Sequence, residues 1–287
     1  MKIKKLLLLF LALCTVLSLA ACAPPDATEP TDTTTPTTPN EEMVLNAEEL
    51  IATGELLYPA KNDLFRYDVY TTYVAITEYV GSATTVEVPA KLEELPVLRI
   101  AKGAFAKTHI ENITIADSVV EIGSVAFEEC QNLVSVKLPS QVTSIGTEAF
   151  TGCVSLKEIT IPASLKNIPT YMCQGCKNLV TVVWEDIEED DGIKKTIGDF
   201  AFQSCKSLTM IWIPDEVTEI GNSAIPKNSF LTIHGYTSSA AAHYASKYFI
   251  DFEVLDKENL ATAIKDAQDE AAKREEESTK PTESTTP

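Results

Sequence analysis

Histidine and basic residues are scarce in this sequence, and their scarcity excludes several functions. The chain has 287 residues, with 23 Lys+Arg against 42 Asp+Glu and a formal net charge of −19. Nucleic-acid binding needs clustered Lys and Arg, so we expect no nucleic-acid partner. The only histidines are His109, His234 and His243, which leave little material for a histidine-rich metal site or a catalytic relay.

Motifs for common enzyme chemistry are absent as well. No string of the form GxSxG, HExxH or GxxxxGKS/T occurs. We therefore predict that the protein is not an enzyme and that it uses no cofactor or metal. Apolar residues nevertheless make up 45% of the chain and its mean hydropathy is +0.01, so it can bury a sizeable core.

The first residues predict an export signal. Met1–Lys5 is positively charged, and Leu6–Ala21 is an uncharged run shorter than the roughly 20 apolar residues of a spanning helix. The run ends in Leu-Ala-Ala followed by Cys22, which resembles the lipobox of bacterial lipoproteins. That resemblance implies removal of residues 1–21 and a lipid on Cys22 that anchors the chain in the bacterial cell envelope. The alternative is an ordinary signal peptide that contains a cysteine.

Both ends of the remaining chain are low in complexity. Residues 22–45 begin with Cys22 and continue as a Thr/Pro-rich linker that cannot bury enough surface to fold. Residues 256–287 predict an Ala/Glu/Lys helix and a disordered tail. The apolar residues of this helix recur at helical spacing, which favours a solvated helix lying on the last repeat over a partner-binding helix: Leu260, Ile264, Ala267 and Ala271.

Between these ends the sequence repeats with a period near 23 residues. The motif LxxhxhP, in which h is apolar, occurs at 133–139, 156–162 and 208–214. Isoleucines recur at 100, 122, 145, 168, 197 and 220, and Phe or an equivalent recurs at 105, 127, 150, 172, 202 and 225. Both columns contain one longer step, of 29 and 30 residues, so one repeat carries an insertion.

A period in the twenties with this motif predicts a leucine-rich repeat solenoid. Each repeat supplies a short strand and a return segment, and stacked repeats share one core. We expect a mainly β solenoid of about 6–7 coils, with the Ile and Phe columns inside. A glycine follows most of the isoleucines, where a tight backbone turn would suit it: Gly123, Gly146, Gly198 and Gly221.

The repeats resemble the BspA-type bacterial leucine-rich repeat family, whose consensus includes IPxxVtxIGxxAFxxCxxL, over about Tyr70 to Leu255. The resemblance implies an N-terminal cap at residues 46–80, with a β-hairpin at Tyr67–Val80. It implies a solenoid over residues 81–255 with a closing coil that begins at Thr232, followed by the C-terminal helix. It also implies a surface or secreted location and a role in adhesion or protein binding.

Four cysteines form a column of their own, at Cys130, Cys153, Cys176 and Cys205. In an exported protein such a set can form disulfides, but the shared slot after the Phe also suits small buried thiols. We favour buried thiols and leave bridges between neighbouring coils open. Cys173 and Cys176 have the CxxC spacing of redox sites, without the βαβ context that such sites require.

The insertion at 185–191 contains six carboxylates in seven residues. Carboxylate oxygens are calcium ligands, but the spacing does not match the EF-hand loop. A solvated acidic loop is the favoured interpretation.

In each strand, the residues that alternate with the inward positions are expected to point outward and to form a ladder of side chains along the strand column. It is polar in the early repeats and becomes apolar at Val183, Met210 and Trp212. An exposed Trp in an apolar patch is typical of interaction surfaces, so these three residues are the candidate binding face. The alternative is that the insertion, the C-terminal helix or lateral packing covers them. Trp184 falls in an inward slot and is expected in the core.

Two function classes remain open from the sequence. The first is a membrane-anchored extracytoplasmic module that binds or adheres to an extracellular or envelope protein or glycan. The second is a structural envelope lipoprotein without a dedicated ligand.

Overall fold

The computed structural model describes residues 46–186 and 192–279. The predicted signal peptide, the lipid site at Cys22 and the linker to residue 45 lie outside these residues. The greater part of the acidic insertion (187–191) and the tail from 280 onward lie outside them too.

The N-terminal cap consists of one short helix and an antiparallel meander. Helix α1 (Ala47–Thr53) begins with a capping box, in which Asn46 and Glu49 each accept a hydrogen bond from the other's backbone N–H. Strands β1 (Leu56–Lys61), β2 (Phe65–Tyr70) and β3 (Val74–Tyr79) pair antiparallel in sequence order. The predicted hairpin is therefore present as β2 and β3, and β1 adds a third strand that the sequence did not indicate.

The LxxhxhP segments form the first column of parallel strands. Within each strand the apolar residues alternate with outward residues, which sets the inside of the solenoid. The column contains β4 (Thr85–Val88), β7 (Asn112–Ile115), β9 (Ser135–Lys137), β11 (Glu158–Ile161), β13 (Thr181–Trp184), β15 (Met210–Trp212), β17 (Thr232–Gly235) and β18 (Asp251–Val254).

A second column of strands ends at the isoleucines and continues the pairing that β3 begins. Its members are β6 (Leu95–Ile100), β8 (Glu121–Ile122), β10 (Ser144–Ile145), β12 (Asn167–Ile168), β14 (Lys195–Ile197) and β16 (Val217–Ile220). All pair in parallel where they pair, and β5 (Lys91–Leu92) adds an antiparallel partner to β6.

The Phe column stacks between the two strand columns. The rings of Phe105, Phe127 and Phe150 follow one another with centroids 5.0 Å apart. Met172, Phe202 and Ile225 continue the column and are also buried. This ladder and the isoleucine column belong to one continuous core, as the repeat pattern predicted.

The glycines after the isoleucines are required by close approach of neighbouring coils. A Cβ on Gly123 would stand 2.5 Å from the Lys102 backbone nitrogen, and one on Gly198 would stand 2.6 Å from that of Thr170. Neither glycine has a positive φ. The constraint is therefore the spacing between coils and not an unusual backbone turn at the glycine itself.

The closing segment adds two turns and two helices. Helix α2 (Ala240–Tyr248) begins at Ser239, whose side chain accepts from the Ala242 amide, and it packs against β16, β17 and β18. Helix α3 (Lys257–Thr279) follows β18. The predicted architecture is confirmed, with about eight turns because β17 and β18 extend the strand column beyond the repeats proper.

Candidate functional site on the strand face

The outward side of the first strand column is exposed over its first four strands. We call this surface the open half; it consists of the pairs Thr85/Glu87, Asn112/Thr114, Ser135/Lys137 and Glu158/Thr160. Parallel pairing holds the first three of these pairs in register, with Thr85 opposite Asn112 and Asn112 opposite Ser135. Every one of these side chains can donate or accept a hydrogen bond.

The same side of the next strands is covered, and this contradicts the predicted exposed patch. Met210 is 1% exposed and Trp212 is 0% exposed, whereas Val183 is half-buried. Thr181 and His234, which flank them in the sheet, are buried as well. We call Thr181, Val183, Met210, Trp212 and His234 the covered half.

Helix α3 lies over part of the strand face. It packs against β13, and the Gln268 side-chain amide donates a 2.6 Å hydrogen bond to Glu158 at the edge of the open half. The Arg274 guanidinium stands 4.3 Å from the ring centroid of Phe230. The side of the helix facing the sheet is half-buried and includes the predicted stripe: Leu260, Ile264, Ala267 and Ala271. The helix therefore crosses the strand face and is not confined to the last repeat.

Trp212 is enclosed from another side by the turn after β17. The Tyr236 ring packs edge-on against it with centroids 5.5 Å apart, and the Tyr236 hydroxyl donates to Asp186 at 3.1 Å. Burial, followed by the charge of Asp186, raises the pKa of Tyr236 to about 12. Among residues 46–186 and 192–279, the Trp212 indole N–H has no hydrogen-bond partner. Its position is therefore set by packing.

His234 is a buried imidazole beside one carboxylate. Its Nδ1 lies 3.6 Å from Glu253 Oε2. Burial lowers the pKa of His234, and the nearby Glu253 charge opposes that shift without overcoming it. The effect of burial on the pKa of His234 dominates, because the 3.6 Å contact is too long for a hydrogen bond and Glu253 is largely exposed to solvent.

Trp184 lies in the core, as its inward slot predicted. It is 1% exposed, and the Lys195 ammonium stands 5.3 Å from its ring centroid. The sequence reasoning did not identify Lys195 as a buried lysine. Lys195 lies in the coil that carries the insertion and pairs with Val217 of the next coil. Its alignment with that apolar position is the feature of the sequence that could have indicated burial.

The cysteine column consists of buried free thiols in the described part of the chain. Each thiol donates to a backbone carbonyl of the preceding coil: Cys130 to Phe105, Cys153 to Phe127, Cys176 to Phe150 and Cys205 to Cys173. Burial raises the pKa of Cys130 to about 11, and contact with the Cys176 thiol together with burial raises the pKa of Cys153 and Cys173. Such thiols stay protonated at neutral pH and are poor nucleophiles.

The three histidines do not converge. His109 and His243 are exposed at separate places and His234 is buried. Over residues 46–186 and 192–279, no group of three or more His, Cys, Asp or Glu side chains could hold a metal ion. Most of the acidic insertion considered as a calcium loop, positions 187–191, lies outside these residues. Within the same described ranges, no helix has the length and apolar character needed to span a bilayer.

Stacked parallel strands, a repeated Leu/Ile/Phe core and an outward polar ladder define a leucine-rich repeat solenoid. The sequence profile of the BspA type leucine rich repeat region matches residues 98–232 and 184–271, in six copies. The chain belongs to this family, whose solenoids are typically non-enzymatic. Comparison with curated protein sequences finds no match.

The chain is similar to solved structures of bacterial leucine-rich repeat proteins. A T. pallidum leucine-rich repeat protein has 25% identity and a TM-score of 0.50, and the match covers 68% of this chain and 98% of that one. A leucine rich cell surface protein from Faecalibacterium prausnitzii has 27% identity and a TM-score of 0.47, with 63% and 55% covered. The pneumococcal vaccine antigen PcpA has 16% identity and a TM-score of 0.53, with 69% and 48% covered.

Proposed function

We propose that this chain is a membrane-anchored extracytoplasmic binding module, held in the bacterial envelope by a lipid on Cys22, that recognises a protein or glycan through the open half. The leader at residues 1–21 and the small-residue sequence before Cys22 support the location. Membership of the leucine-rich repeat family supports a binding role, because solenoids present extended surfaces for recognition.

The observation that carries the proposal is the row of exposed polar side chains on four neighbouring strands, of which β4, β7 and β9 are paired in one sheet. Strands in a sheet lie about 4.8 Å apart, so the row presents hydrogen-bonding groups at a fixed spacing. The groups are hydroxyls, one amide and charges of both signs, such as Glu87 and Lys137. A partner rich in hydroxyl, amide or charged groups fits this surface, and an apolar partner does not.

The predicted apolar site has no place in this proposal. Met210 and Trp212 are inaccessible while the chain holds its described conformation. The open half, whose side chains are exposed, is therefore the proposed binding surface.

Two arginine substitutions on the open half test the binding role. The chain from residue 22, with Cys22→Ser, is applied to an array of glycans and extracellular-matrix proteins. We expect retention on at least one component and at least a tenfold loss of affinity, about 1.4 kcal/mol, in Thr114→Arg/Ser135→Arg. The matched control is Ser144→Arg/Thr218→Arg, which changes exposed residues on the second strand column. Absence of any retention would favour a structural lipoprotein without a dedicated ligand, and equal losses in both variants would remove the open half as the site.

The anchor is tested separately by fractionation. In a bacterial host, the wild-type chain should sediment with membranes and incorporate labelled fatty acid. The Cys22→Ser variant should incorporate no labelled fatty acid, since the single acceptor thiol is gone. Equal labelling of that variant would show that the lipobox interpretation is wrong, whatever the binding assay gives.

A further inference from the structure

A cavity of about 380 Å³ lies between the last repeat and helix α2, far along the chain from the open half. We call it the cap pocket; it is lined by Gln203, Ser204, Lys206, Ser223, Ile225, Pro226, Lys227, Asn228, Tyr244, Tyr248 and Ile250. Its volume falls in the range of about 300–1,000 Å³ that small-molecule sites occupy. The proposed binding role of the open half does not involve any of these residues.

The floor of the cap pocket is apolar and held in place by hydrogen bonds. Ile225, Tyr244 and Ile250 are buried there. The Tyr244 hydroxyl accepts from the Ile225 amide at 3.3 Å and donates to the Ile225 carbonyl at 3.4 Å, so the helix is tied to the last repeat. The Tyr248 ring packs against Tyr244 with centroids 4.4 Å apart and remains half-buried. The pocket thus has a pre-formed aromatic wall.

The rim of the pocket is basic in a strongly acidic protein. Lys206 and Lys227 line it, and the Lys247 ammonium stands 5.0 Å from the Tyr248 ring centroid. None of the described lining residues is an Asp or Glu. Because the whole chain carries a net charge of −19, two lysines lining one cavity, with Lys247 beside its aromatic wall, form a local site for an anion.

A second aromatic side chain stands beside the pocket under backbone strain. Phe249 ends helix α2 with φ 56° and ψ 48°, a left-handed conformation that glycine adopts easily and a bulky residue does not. It is 84% exposed, and the Lys227 ammonium stands 5.5 Å from its ring centroid.

We propose that the cap pocket binds an acidic sugar residue, of the hexuronate class, at the end or within a glycan chain. The apolar face of the pyranose ring packs on Tyr248, and the carboxylate is held by Lys206 and Lys227. The hydroxyls of Ser204 and Ser223 line the same cavity and can bond the ring hydroxyls. An aromatic wall alone would accept any apolar ring, and the lysines alone would accept any anion. The serine hydroxyls add a preference for a ring that carries both hydroxyls and a carboxylate.

Calorimetric titration of the chain from residue 22, with Cys22→Ser, tests this site. The probes are tri-galacturonate, a hyaluronan tetrasaccharide, the methyl-esterified tri-galacturonate, benzoate and inorganic phosphate. We expect one of the two uronate oligosaccharides to bind at least about tenfold more tightly than the methyl ester, benzoate and phosphate, and to bind more weakly as salt is raised. Binding of neither uronate, or equal binding of the ester, benzoate or phosphate, would overturn the proposal.

Substitutions locate the binding. Lys206→Glu/Lys227→Glu should weaken uronate binding at least about tenfold. Lys177→Glu is the matched control, since Lys177 is exposed at the same register one coil earlier and does not line the cavity. Tyr248→Leu keeps an apolar side chain against Tyr244 and should also weaken binding, and circular dichroism shows whether it folds. Unchanged uronate binding in Lys206→Glu/Lys227→Glu would contradict the site.

Thr114→Arg/Ser135→Arg should bind uronate as the unsubstituted chain does. A result that contradicts the cap pocket can therefore be told apart from one that contradicts binding through the open half.

Discussion

The two halves of the strand face are built by the same repeat but differ in what the outward residues meet. In the open half, Asn112 and Ser135 face solvent, and in the covered half Thr181 and Met210 occupy equivalent positions beneath other parts of the chain. The outward residues are polar where the surface is open and include Met, Val and Trp where it is covered. A large exposed apolar patch favours aggregation, and covering it with the chain's own segments removes that patch from the surface without changing the repeat.

The comparison also separates two contributions to the free energy of unfolding. Inward residues and glycines stabilise every coil in the same way, whereas outward residues stabilise the fold only where another segment packs on them. Substitutions at outward positions should therefore lower the free energy of unfolding strongly in the covered half and weakly in the open half. Substitutions of inward residues and glycines should have similar effects in both halves.

The largest difference is expected for Trp212→Ala against Thr114→Ala. Trp212 is fully buried, so its removal leaves a cavity and should lower the free energy of unfolding by about 3–5 kcal/mol. Thr114 is exposed, and its truncation should change that free energy by no more than about 0.5 kcal/mol. Urea unfolding followed by circular dichroism measures both. Similar small losses for the two variants would mean that Trp212 is not enclosed.

Glycine substitutions should have intermediate effects that do not depend on the half. Gly123→Ala and Gly221→Ala each place a Cβ 2.5 Å from atoms of the preceding coil, so both should lose about 1–3 kcal/mol through overpacking. Gly103→Ala meets no atom within 4 Å but has a φ of +68°, so its cost of about 1 kcal/mol reflects backbone strain alone. If all three cost the same by the same denaturation assay, close approach of coils is not the reason for the glycines.

The smallest effect is a pH dependence confined to the covered half. Because burial lowers the pKa of His234 in the folded state, the unfolded chain binds a proton more readily below pH 6.5. Stability should be fully present above the unfolded value of 6.5 and should fall as the pH drops below it toward the lower folded pKa. His234→Gln should remove this component, while the exposed His109→Gln serves as the control. Unfolding midpoints measured between pH 5 and 8 that are equally pH-dependent in wild type and His234→Gln would contradict the assignment.

Much of the fold could be predicted because its causes are local and repeated. The Ile and Phe columns specify which residues point inward, and Phe127 and Ile145 are buried as their positions require. The alternation within each strand also separates inward from outward residues correctly, as Ile113 between Asn112 and Thr114 shows.

The cover of the strand face could not be predicted from the same information. The spacing of Leu260 and Ile264 predicts a helix with one apolar stripe, but it does not say which surface that stripe meets. The contact that places the helix joins Gln268 to Glu158, 110 residues apart in sequence. Exposure of Met210 and Trp212 depends on such contacts, and the repeat pattern contains no information about them.

The most direct test of the divided strand face is thiol labelling at two matched threonines. Thr85 and Thr181 occupy the same register position on β4 and β13, and the native thiols within the described residues are buried. In a chain with Cys14→Ser and Cys22→Ser, Thr85→Cys should react with a maleimide at least about tenfold faster than Thr181→Cys, whose exposure requires local opening. Removal of residues 257–287 should bring the Thr181→Cys rate toward that of Thr85→Cys. Equal rates in the untruncated chain would contradict the division of the face into an open and a covered half.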